Sequence, residues 1–423
     1  MNAAYADRRI VTSRLLPASR RPATIDGHLR DHGTPPYQGR RELLADILED
    51  AWLTGRGGAA FPSVRKLRAV AAAGGRPVVV ANGAEGEPAS SKDKVLLTTV
   101  PHLVLDGLQL AVEAVGARAA YLYVHRHPVI VDSLKRALDD RAALGLDRVR
   151  VRVVEAPPRF VAGEESAVVN RIDGGEAIPT YTPRRVVEQG VGGQPTLVHN
   201  VETLAHVGLL ARYGAPWFRE LGTGDEPGTM LVTVHRHGES GAVSEVPQGS
   251  SLDEVVRLDD AQAVLVGGFH GAWLPAQAAR SLRLCKADLR EYGAAPGAGV
   301  LAVLALDRCG LIETARVVAY LAAEAAGQCG PCLNGLPRIS AVLTALAARR
   351  ASAEDITDLQ RWSGLVQRRG ACHHPDGTVR LVASAMTTFA REVEVHRAGR
   401  CSFGSTTSLL PVPTAVPKAG DWR

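Results

Sequence analysis

Short β-branched runs alternate with longer helical stretches between residues 77 and 155, and this alternation constrains the fold more than any other feature. The segments 77–82 (PVVVAN), 119–125 (AAYLYVH) and 149–155 each have the composition of a buried strand. Helical patterns at 101–116 and 129–144 separate them, and the first begins with proline and ends with glycine. Strands that alternate with helices predict an α/β domain whose parallel sheet is covered on both faces.

The rest of the chain divides by texture. Short strands at 228–235, 242–246 and 263–266 around one short helix predict a small β-rich module of the β-grasp type, and the chain is helical almost throughout from 313 onward. The predicted division is therefore a basic, flexible lead-in at 1–40, an α/β domain at 41–225, a β-grasp domain at 226–305, a helical domain at 306–402 and a tail at 403–423.

Composition excludes several classes of protein. The 423 residues carry a formal charge of +5, six cysteines and only 4% aromatic residues. Six cysteines are too few for a disulfide scaffold, and so few aromatics argue against a nucleic-acid interface. Because no stretch of 18 or more apolar residues occurs, we expect no transmembrane segment and a cytoplasmic protein, either free or peripheral to a membrane complex.

The glycine-rich segment 55–60 contains the pattern G-x-G-x-x-A. It follows a predicted helix instead of a strand, so the dinucleotide-binding fingerprint lacks its usual context. Adjacent glycines still allow backbone N–H groups to approach a phosphate, and Arg56, Arg65 and Lys66 add positive charge. Phosphate binding and an ordinary tight turn both remain open from this pattern.

Two acidic loops follow predicted strands. NGAEGEP at 82–88 comes directly after the first strand, and GEES at 163–166 lies just beyond the third. Open α/β sheets place ligands at this carboxyl edge. Solvated turns with a capping glutamate would explain one such loop, but two of them beside a glycine-rich loop favour a pocket for a ribityl chain, a flavin edge or ribose hydroxyls.

Three cysteines are grouped in the helical region. Cys329 and Cys332 form a Cys-x-x-Cys pair, and Cys372 follows between predicted helices. The pair suits a redox dithiol or half of a metal site, and the glycine and proline around it favour metal. Because a complete site needs four ligands, Cys401, His373 and His374 are candidates for the fourth. Two further cysteines, Cys285 and Cys309, have the surroundings of packing residues.

Five blocks in order, TGRGGAAFPSVRK, ANGAEGEP with the following Lys92-Asp93, GEESA, QPTLVHNVETL and GQCGPCLNG, resemble the FMN- and NADH-binding subunit of respiratory complex I. The same type of subunit serves as the diaphorase of NAD-linked hydrogenases and formate dehydrogenases. The resemblance implies a Rossmann-like FMN-binding domain, a β-grasp domain of the soluble-ligand-binding kind and a helical bundle with one [4Fe–4S] cluster. It implies an oxidoreductase in which NADH passes a hydride to FMN and single electrons continue to the cluster.

The same resemblance assigns residues to roles. The FMN phosphate region falls on Gly55, Arg56, Gly57, Gly58 and Lys66. The flavin and its ribityl chain fall on Asn82, Glu85, Gly163, Glu164, Glu165, Asn200 and Thr203. The nicotinamide nucleotide faces Phe61 and Glu87, with Glu87 and Glu165 in the catalytic positions. The cluster ligands fall on Cys329, Cys332 and Cys372, a set that suits a [4Fe–4S] cluster with one other ligand or a [3Fe–4S] cluster.

Several positions depart from the family pattern, and most of them lie on the dinucleotide side. The residues found at these positions are Ala60, Ala69, Ala84, Phe160, Thr182, Arg185, His199 and, in place of the first cluster cysteine, Ala326. The pattern leaves the use of NADH or NADPH open and points to a ferredoxin or another redox subunit as partner. A non-catalytic binding module and a true NADH dehydrogenase are the alternatives.

Overall fold

A computed structural model describes residues 12–181, 183–239, 241–404, 408–414, 418 and 420–423. Its first domain contains a four-stranded, all-parallel sheet in the order β3-β2-β1-β4. The strands are β1 Val78–Gly83, β2 Ala119–His125, β3 Val151–Ala156 and β4 Thr196–Asn200. The parallel sheet expected from the alternating pattern is confirmed.

Eight helices accompany this sheet, with bounds α1 Ile25–His32, α2 Arg41–Asp50, α3 Ser63–Ala72, α4 Lys92–Thr99, α5 Pro101–Val115, α6 Pro128–Ala143, α7 Glu165–Ile172 and α8 Val201–Arg219. The chain runs outward from β1 through β2 to β3 and then returns to place β4 on the other side of β1. This reversal opens a crevice between the carboxyl ends of β1 and β4, where open α/β sheets bind their ligands.

The buried helix α5 packs closely against α8 because Gly107 carries no side chain. A Cβ atom at Gly107 would lie 1.8 Å from the carbonyl oxygen of Leu204 on α8, so any larger residue would push the two helices apart. The helix α8 itself begins at the end of β4, and this packing therefore fixes β4 beside β1.

The second sheet has five strands in the order β6-β5-β9-β7-β8. Of its pairs, β5–β9 is parallel and the other three are antiparallel. The strands are β5 Thr229–His235, β6 Ala242–Pro247, β7 Ala261–Val266, β8 Ala272–Pro275 and β9 Val300–Ala305, with the short helices α9 Leu252–Val256, α10 Ala276–Ala279 and α11 Lys286–Leu289 between them.

The C-terminal region is helical, as expected. It contains α12 Gly310–Ala323, α13 Leu336–Ala347, α14 Ala353–Val366, α15 His374–Thr388 and α16 Ala390–Arg397. A loop and a short π-helical turn, Pro331–Gly335, connect α12 to α13 and carry the Cys-x-x-Cys pair.

Part of the segment expected to be a flexible lead-in folds against the rest of the chain. Leu15 and Leu16 are buried, and their backbone N–H groups donate to the carboxylate of Glu245 on β6, while 25–32 form α1. The basic residues of 1–11 lie outside the described part of the chain. Polar spacing hid this segment because only two leucines hold it.

Within the described residues, no single helix is both long and apolar enough to cross a membrane. The bent pair Lys92–Thr99 and Pro101–Val115 reaches the required length and composition only when its two halves are counted together.

A buried charge network centres on Asp106 of α5, whose side chain is 0% exposed. Its carboxylate contacts Nε2 of His28 at 2.9 Å, Nη1 of Arg141 at 2.8 Å and the guanidinium of Arg212. Burial alone would raise the pKa of this carboxyl, but the His28 hydrogen bond and the two arginines lower it to about 2. The network joins α1, α5, α6 and α8.

We expect Asp106→Asn to lower the free energy of unfolding by about 3–5 kcal/mol, because it leaves buried arginines without their carboxylate. Urea titration at pH 7 measures this change. The control Asp140→Asn removes an exposed carboxylate from α6 and should change stability by less than about 0.5 kcal/mol. Equal effects of the two substitutions would contradict the account.

Candidate functional site

Asn82 and Asn200 lie opposite each other at the carboxyl ends of β1 and β4. The Asn200 side-chain amide donates to the carbonyl of Asn82 over 3.3 Å, and the Asn82 amide donates to the carbonyl of Gly163 over 2.9 Å. The structure therefore brings together the ends of both strands and the GEES loop at the crevice.

The glycine-rich loop lies over the same crevice. A Cβ atom at Gly57 would lie 3.3 Å from Cβ of Asn200, and Gly58 adopts a φ of +100° that side chains disfavour. The Thr203 hydroxyl accepts the backbone N–H of Arg56 over 2.9 Å and so attaches the loop to α8. Gly55 donates its N–H to the carbonyl of Phe61 over 2.8 Å and closes the turn.

The guanidinium of Arg56 points away from a phosphate-binding position. It donates to the carbonyl and hydroxyl of Thr54 over 2.9 and 2.8 Å and to the carbonyl of Thr229 at the start of β5 over 3.2 Å. Arg56 therefore connects the loop to the second sheet, and the positive charge nearest the GEES loop is Lys66, whose ammonium contacts Glu165 at 2.8 Å.

A buried ammonium group supports the crevice from below. Lys92, at the start of α4, contacts the carboxylates of Asp93 at 2.7 Å and Glu202 at 2.9 Å and donates to the Asn200 side chain over 3.3 Å. Burial opposes the charged form, but Asp93, Glu202 and Glu85 together raise the pKa of Lys92 above its ordinary value. This network holds the Asn200 side chain in one orientation.

Two of the expected flavin-side carboxylates cap helices. Glu85 accepts the hydroxyl of Ser90 and the backbone N–H groups of Asp93 and Lys94 at the start of α4. Glu164 is the N-cap of α7, as the capping interpretation of GEES allowed. Burial raises the pKa of Glu85 to about 7.

Glu87 faces the second sheet. Its carboxylate accepts the backbone N–H of Phe269 over 2.7 Å and of Ala89 over 3.2 Å, and a Cβ at Gly268 would lie 2.5 Å from it. Burial raises the pKa of Glu87 to about 7 although both hydrogen bonds lower it. The loop after β7 thus covers one side of the crevice.

The three grouped cysteines line one small cavity. Cys329, Cys332 and Cys372 share it with Ala326, His374 and Val161, among others. Burial and the neighbouring thiols raise the pKa of Cys332 to about 12, and burial raises that of Cys372 to about 11. Clustered buried thiols of this kind suit a metal group, which would hold them as thiolates.

None of the three candidates for the fourth ligand is placed freely at this cavity. His374 lines it, but its Nε2 bonds to the carbonyl of Leu321 at 2.8 Å and its Nδ1 lies 3.1 Å from Nε2 of His270. His373 is exposed and pairs with Asp376. Cys401 groups with Cys309, which was expected to be a packing residue.

The turn Phe160–Gly163 lies between the crevice and the cysteine cavity. The Gly163 carbonyl accepts the Asn82 amide, whereas Val161 lines the cavity. The Phe160 ring packs against the rings of His270 from the second sheet and His374 from α15, with centroids 4.6 and 5.5 Å away. All three structural regions therefore meet at this turn.

On the dinucleotide side, the departures lie at the surface. Phe61 is 41% exposed beside the glycine-rich loop, and Ala69 and Arg185 are exposed as well. Thr182 lies outside the described residues.

Sequence reasoning did not assign site roles to Lys92, Glu202 or His270. For Lys92 a signal existed, since a Lys-Asp pair directly follows the NGAEGEP loop. Glu202 and His270 carry no local pattern, because their partners are distant in sequence.

Because its pKa is near 7 when folded and 4.5 in its ordinary state, the Glu87 carboxyl holds a proton in the folded protein that the unfolded chain loses first. Stability therefore falls as pH rises from about 4.5 to 7 and is flat above it. Relative to Glu87→Gln, wild type should lose about 1–3 kcal/mol between pH 5 and 8. Urea titrations at both pH values measure this, with exposed Glu188→Gln as the control. Parallel pH profiles for wild type and Glu87→Gln would refute it.

Gly57→Val should weaken FMN binding at least about tenfold, equivalent to 1.4 kcal/mol, because its side chain fills the space above Asn200. Quenching of flavin fluorescence on titration of the apoprotein measures the affinity. Gly364→Val is a matched control, since nothing lies within 4 Å of a Cβ there. Unchanged affinity in Gly57→Val would place the flavin elsewhere.

Comparisons with known proteins agree with this geometry. Residues 48–209 match the Nuo51 FMN-binding domain, and residues 313–396 match the NADH-ubiquinone oxidoreductase-F iron-sulfur binding region. The chain is 30% identical over 385 residues to the NAD-reducing hydrogenase HoxS subunit alpha of Cupriavidus necator, covering 83% of this chain and 62% of that protein. It therefore spans less than two thirds of that relative's length.

A second relative is an F-type NADH-quinone oxidoreductase subunit of Rhizobium meliloti, 26% identical over 380 residues, with 85% of this chain and 90% of that protein covered. The crystal structure of an air-oxidized NAD+-reducing [NiFe]-hydrogenase superposes with a TM-score of 0.79 at 27% identity, over 92% of this chain and 69% of that one. These matches confirm the family, the FMN-binding region and the iron–sulfur region expected from the sequence. The chain belongs to the family of F-type NADH-quinone oxidoreductase subunits, together with the related subunits of NAD-reducing hydrogenases.

Proposed function

We propose that this chain is an electron-transfer flavoprotein that exchanges a hydride with a pyridine nucleotide and delivers single electrons through an iron–sulfur centre to a partner redox protein. The observation that carries the proposal is the turn Phe160–Gly163. One end of it accepts a hydrogen bond from Asn82 at the crevice, and Val161 lines the cavity of the three cysteines. A single short turn thus separates the two proposed centres.

The crevice fits FMN. Gly57 and Gly58 leave space above Asn200 that a side chain would fill, and the backbone N–H groups of such a loop suit a phosphate. Lys66 supplies positive charge, and the amides of Asn82 and Asn200 are held in fixed orientations for polar groups of the flavin or its ribityl chain. When bound, FMN supplies the conversion between two-electron hydride transfer and one-electron transfer.

The cysteine cavity fits an iron–sulfur cluster with three protein thiolates. Ala326 occupies the position of the family's first cluster cysteine and lines the cavity with a methyl group. His374 already uses both ring nitrogens. We therefore propose three thiolate ligands, in a [3Fe–4S] cluster or a [4Fe–4S] cluster with one corner lacking a cysteine.

On the nucleotide side, Phe61 presents an exposed ring beside the glycine-rich loop, and Glu87 lies beneath the loop after β7. With its pKa near 7, the Glu87 carboxyl holds a proton near neutral pH and is positioned to give it to, or accept it from, a group in the crevice. NADH is the proposed nucleotide, and the exposed guanidinium of Arg185 would also suit the 2′-phosphate of NADPH.

The domain division is part of the proposal. We assign FMN binding to 41–225, a β-grasp fold to 226–305 and the cluster to 306–402, with a cytoplasmic location, free or peripheral to a membrane complex. Both relatives whose matches are given above are subunits by name, which supports a ferredoxin or another redox subunit as the electron partner.

Cys329→Ser separates the two centres. We expect anaerobically purified Cys329→Ser to keep its FMN but lose most of its iron and acid-labile sulfide, since the change removes one of three thiolates. NADH should still bleach its flavin, while reduction of a one-electron acceptor slows. The control Cys285→Ser removes a buried thiol distant in sequence from the cavity set and should keep full iron. Full iron and sulfide in Cys329→Ser would overturn the cluster assignment, and absence of flavin from wild type would overturn the function.

A further inference from the structure

Four potential metal ligands meet at a place that the proposed function does not use. One ligand atom each from Cys309, Glu392, His396 and Cys401 lies within 4.8 Å of all the others. Nε2 of His396 is 3.5 Å from Sγ of Cys309 and 3.2 Å from Oε1 of Glu392. Three of the four residues are almost fully buried, with exposures of 3% for Cys309, 7% for Glu392 and 0% for His396.

The fold brings these residues from three separate places. Cys309 is the N-cap of α12, and Glu392 and His396 lie one turn apart on the same face of α16. Cys401 follows soon after α16 ends, where Gly399 turns the chain with a φ of +77°. The set shares no residue with the cavity of Cys329, Cys332 and Cys372.

The imidazole of His396 is oriented as a metal ligand. Its Nδ1 lies 2.9 Å from the carbonyl oxygen of Leu346, which can only accept, so Nδ1 carries the proton. In the neutral ring, Nε2 then presents its lone pair toward the Glu392 carboxylate and the Cys309 sulfur. An outer hydrogen bond of this kind to a backbone carbonyl fixes the tautomer in many metal sites, and a cation would resolve the contact between two acceptors.

The sulfur and the carboxylate are also prepared for a cation. Backbone N–H groups of Leu311 and Ile312, in the first turn of α12, donate to the Cys309 sulfur and support a thiolate there. Burial nevertheless raises the pKa of Cys309 to about 12, so a thiolate at neutral pH requires a positive partner. The Glu392 carboxylate accepts the backbone N–H of Ser402 over 2.8 Å, which holds it in the group.

The donor set selects the metal. Tetrahedral coordination with zinc–ligand bonds of about 2.0–2.3 Å places neighbouring ligand atoms about 3.3–3.8 Å apart, close to the observed 3.5 and 3.2 Å. Two thiolates, one imidazole and one carboxylate leave no open position for substrate. We propose that Cys309, Glu392, His396 and Cys401 bind one Zn²⁺ ion as a closed, structural site.

The site would fasten the end of the chain to the helical domain. Beyond Cys401, the backbone N–H groups of Leu409 and Leu410 donate to Glu313 in the first turn of α12, beside Cys309. Zinc would therefore join α16 and the segment after it to the start of α12, and its loss should expose this segment to proteases.

Metal analysis of anaerobically purified full-length variants tests the proposal. We expect wild type to contain one zinc per chain besides its iron, Cys309→Ser and His396→Gln to lose zinc while keeping iron, and Cys329→Ser to lose iron while keeping zinc. This opposite pattern separates the zinc site from the proposed cluster. Zinc that stays in both Cys309→Ser and His396→Gln would overturn the proposal, as would a wild-type protein that neither contains zinc nor takes it up.

A second measurement covers variants that fail to fold. The Cys329→Ser protein, stripped with a chelator, should bind one equivalent of Co²⁺ with thiolate-to-cobalt charge-transfer absorption in the near ultraviolet and tetrahedral ligand-field bands in the visible. These bands should disappear in Cys329→Ser/Cys309→Ser. Absence of the bands from the Cys329→Ser parent, or their persistence in the double variant, would contradict the site.

Discussion

The buried ammonium of Lys92 is the interaction on which the crevice depends. Through Asp93, Asn200 and Glu202 it joins the start of α4, which follows β1, to the start of α8, which follows β4. These are the two strands between which the sheet reverses its order. Without this cation, three polar groups would be buried with no ammonium to contact, and the Asn200 amide would lose part of the network that fixes it.

The remaining regions are arranged around that crevice. Gly58 lies against Gly297 and Glu87 against the loop after β7, so the second sheet closes the crevice from one side. The rings of Phe160, His270 and His374 bring the helical region to the same point. Because the helical region also carries the three cysteines, this packing sets the distance between the two proposed centres.

Local patterns predicted what depends on neighbours in sequence. The parallel sheet, the helical C-terminal region and the family followed from periodicity and motif spacing. The partners of Arg56, Glu85 and Cys401 did not, because each is decided by a contact distant in sequence or by burial. Cys401 illustrates the limit: spacing left it as a possible cluster ligand, but the turn at Gly399 and the position of α16 carry it to Cys309.

Reduction of the flavin by NADH in anaerobic wild-type protein tests the central claim most directly. Stopped-flow absorbance should show saturable bleaching of the flavin band, followed by bleaching of the iron–sulfur absorption in the same molecules, because one turn separates the two sites. Protein with full FMN and iron whose flavin is bleached by neither NADH nor NADPH would contradict the account.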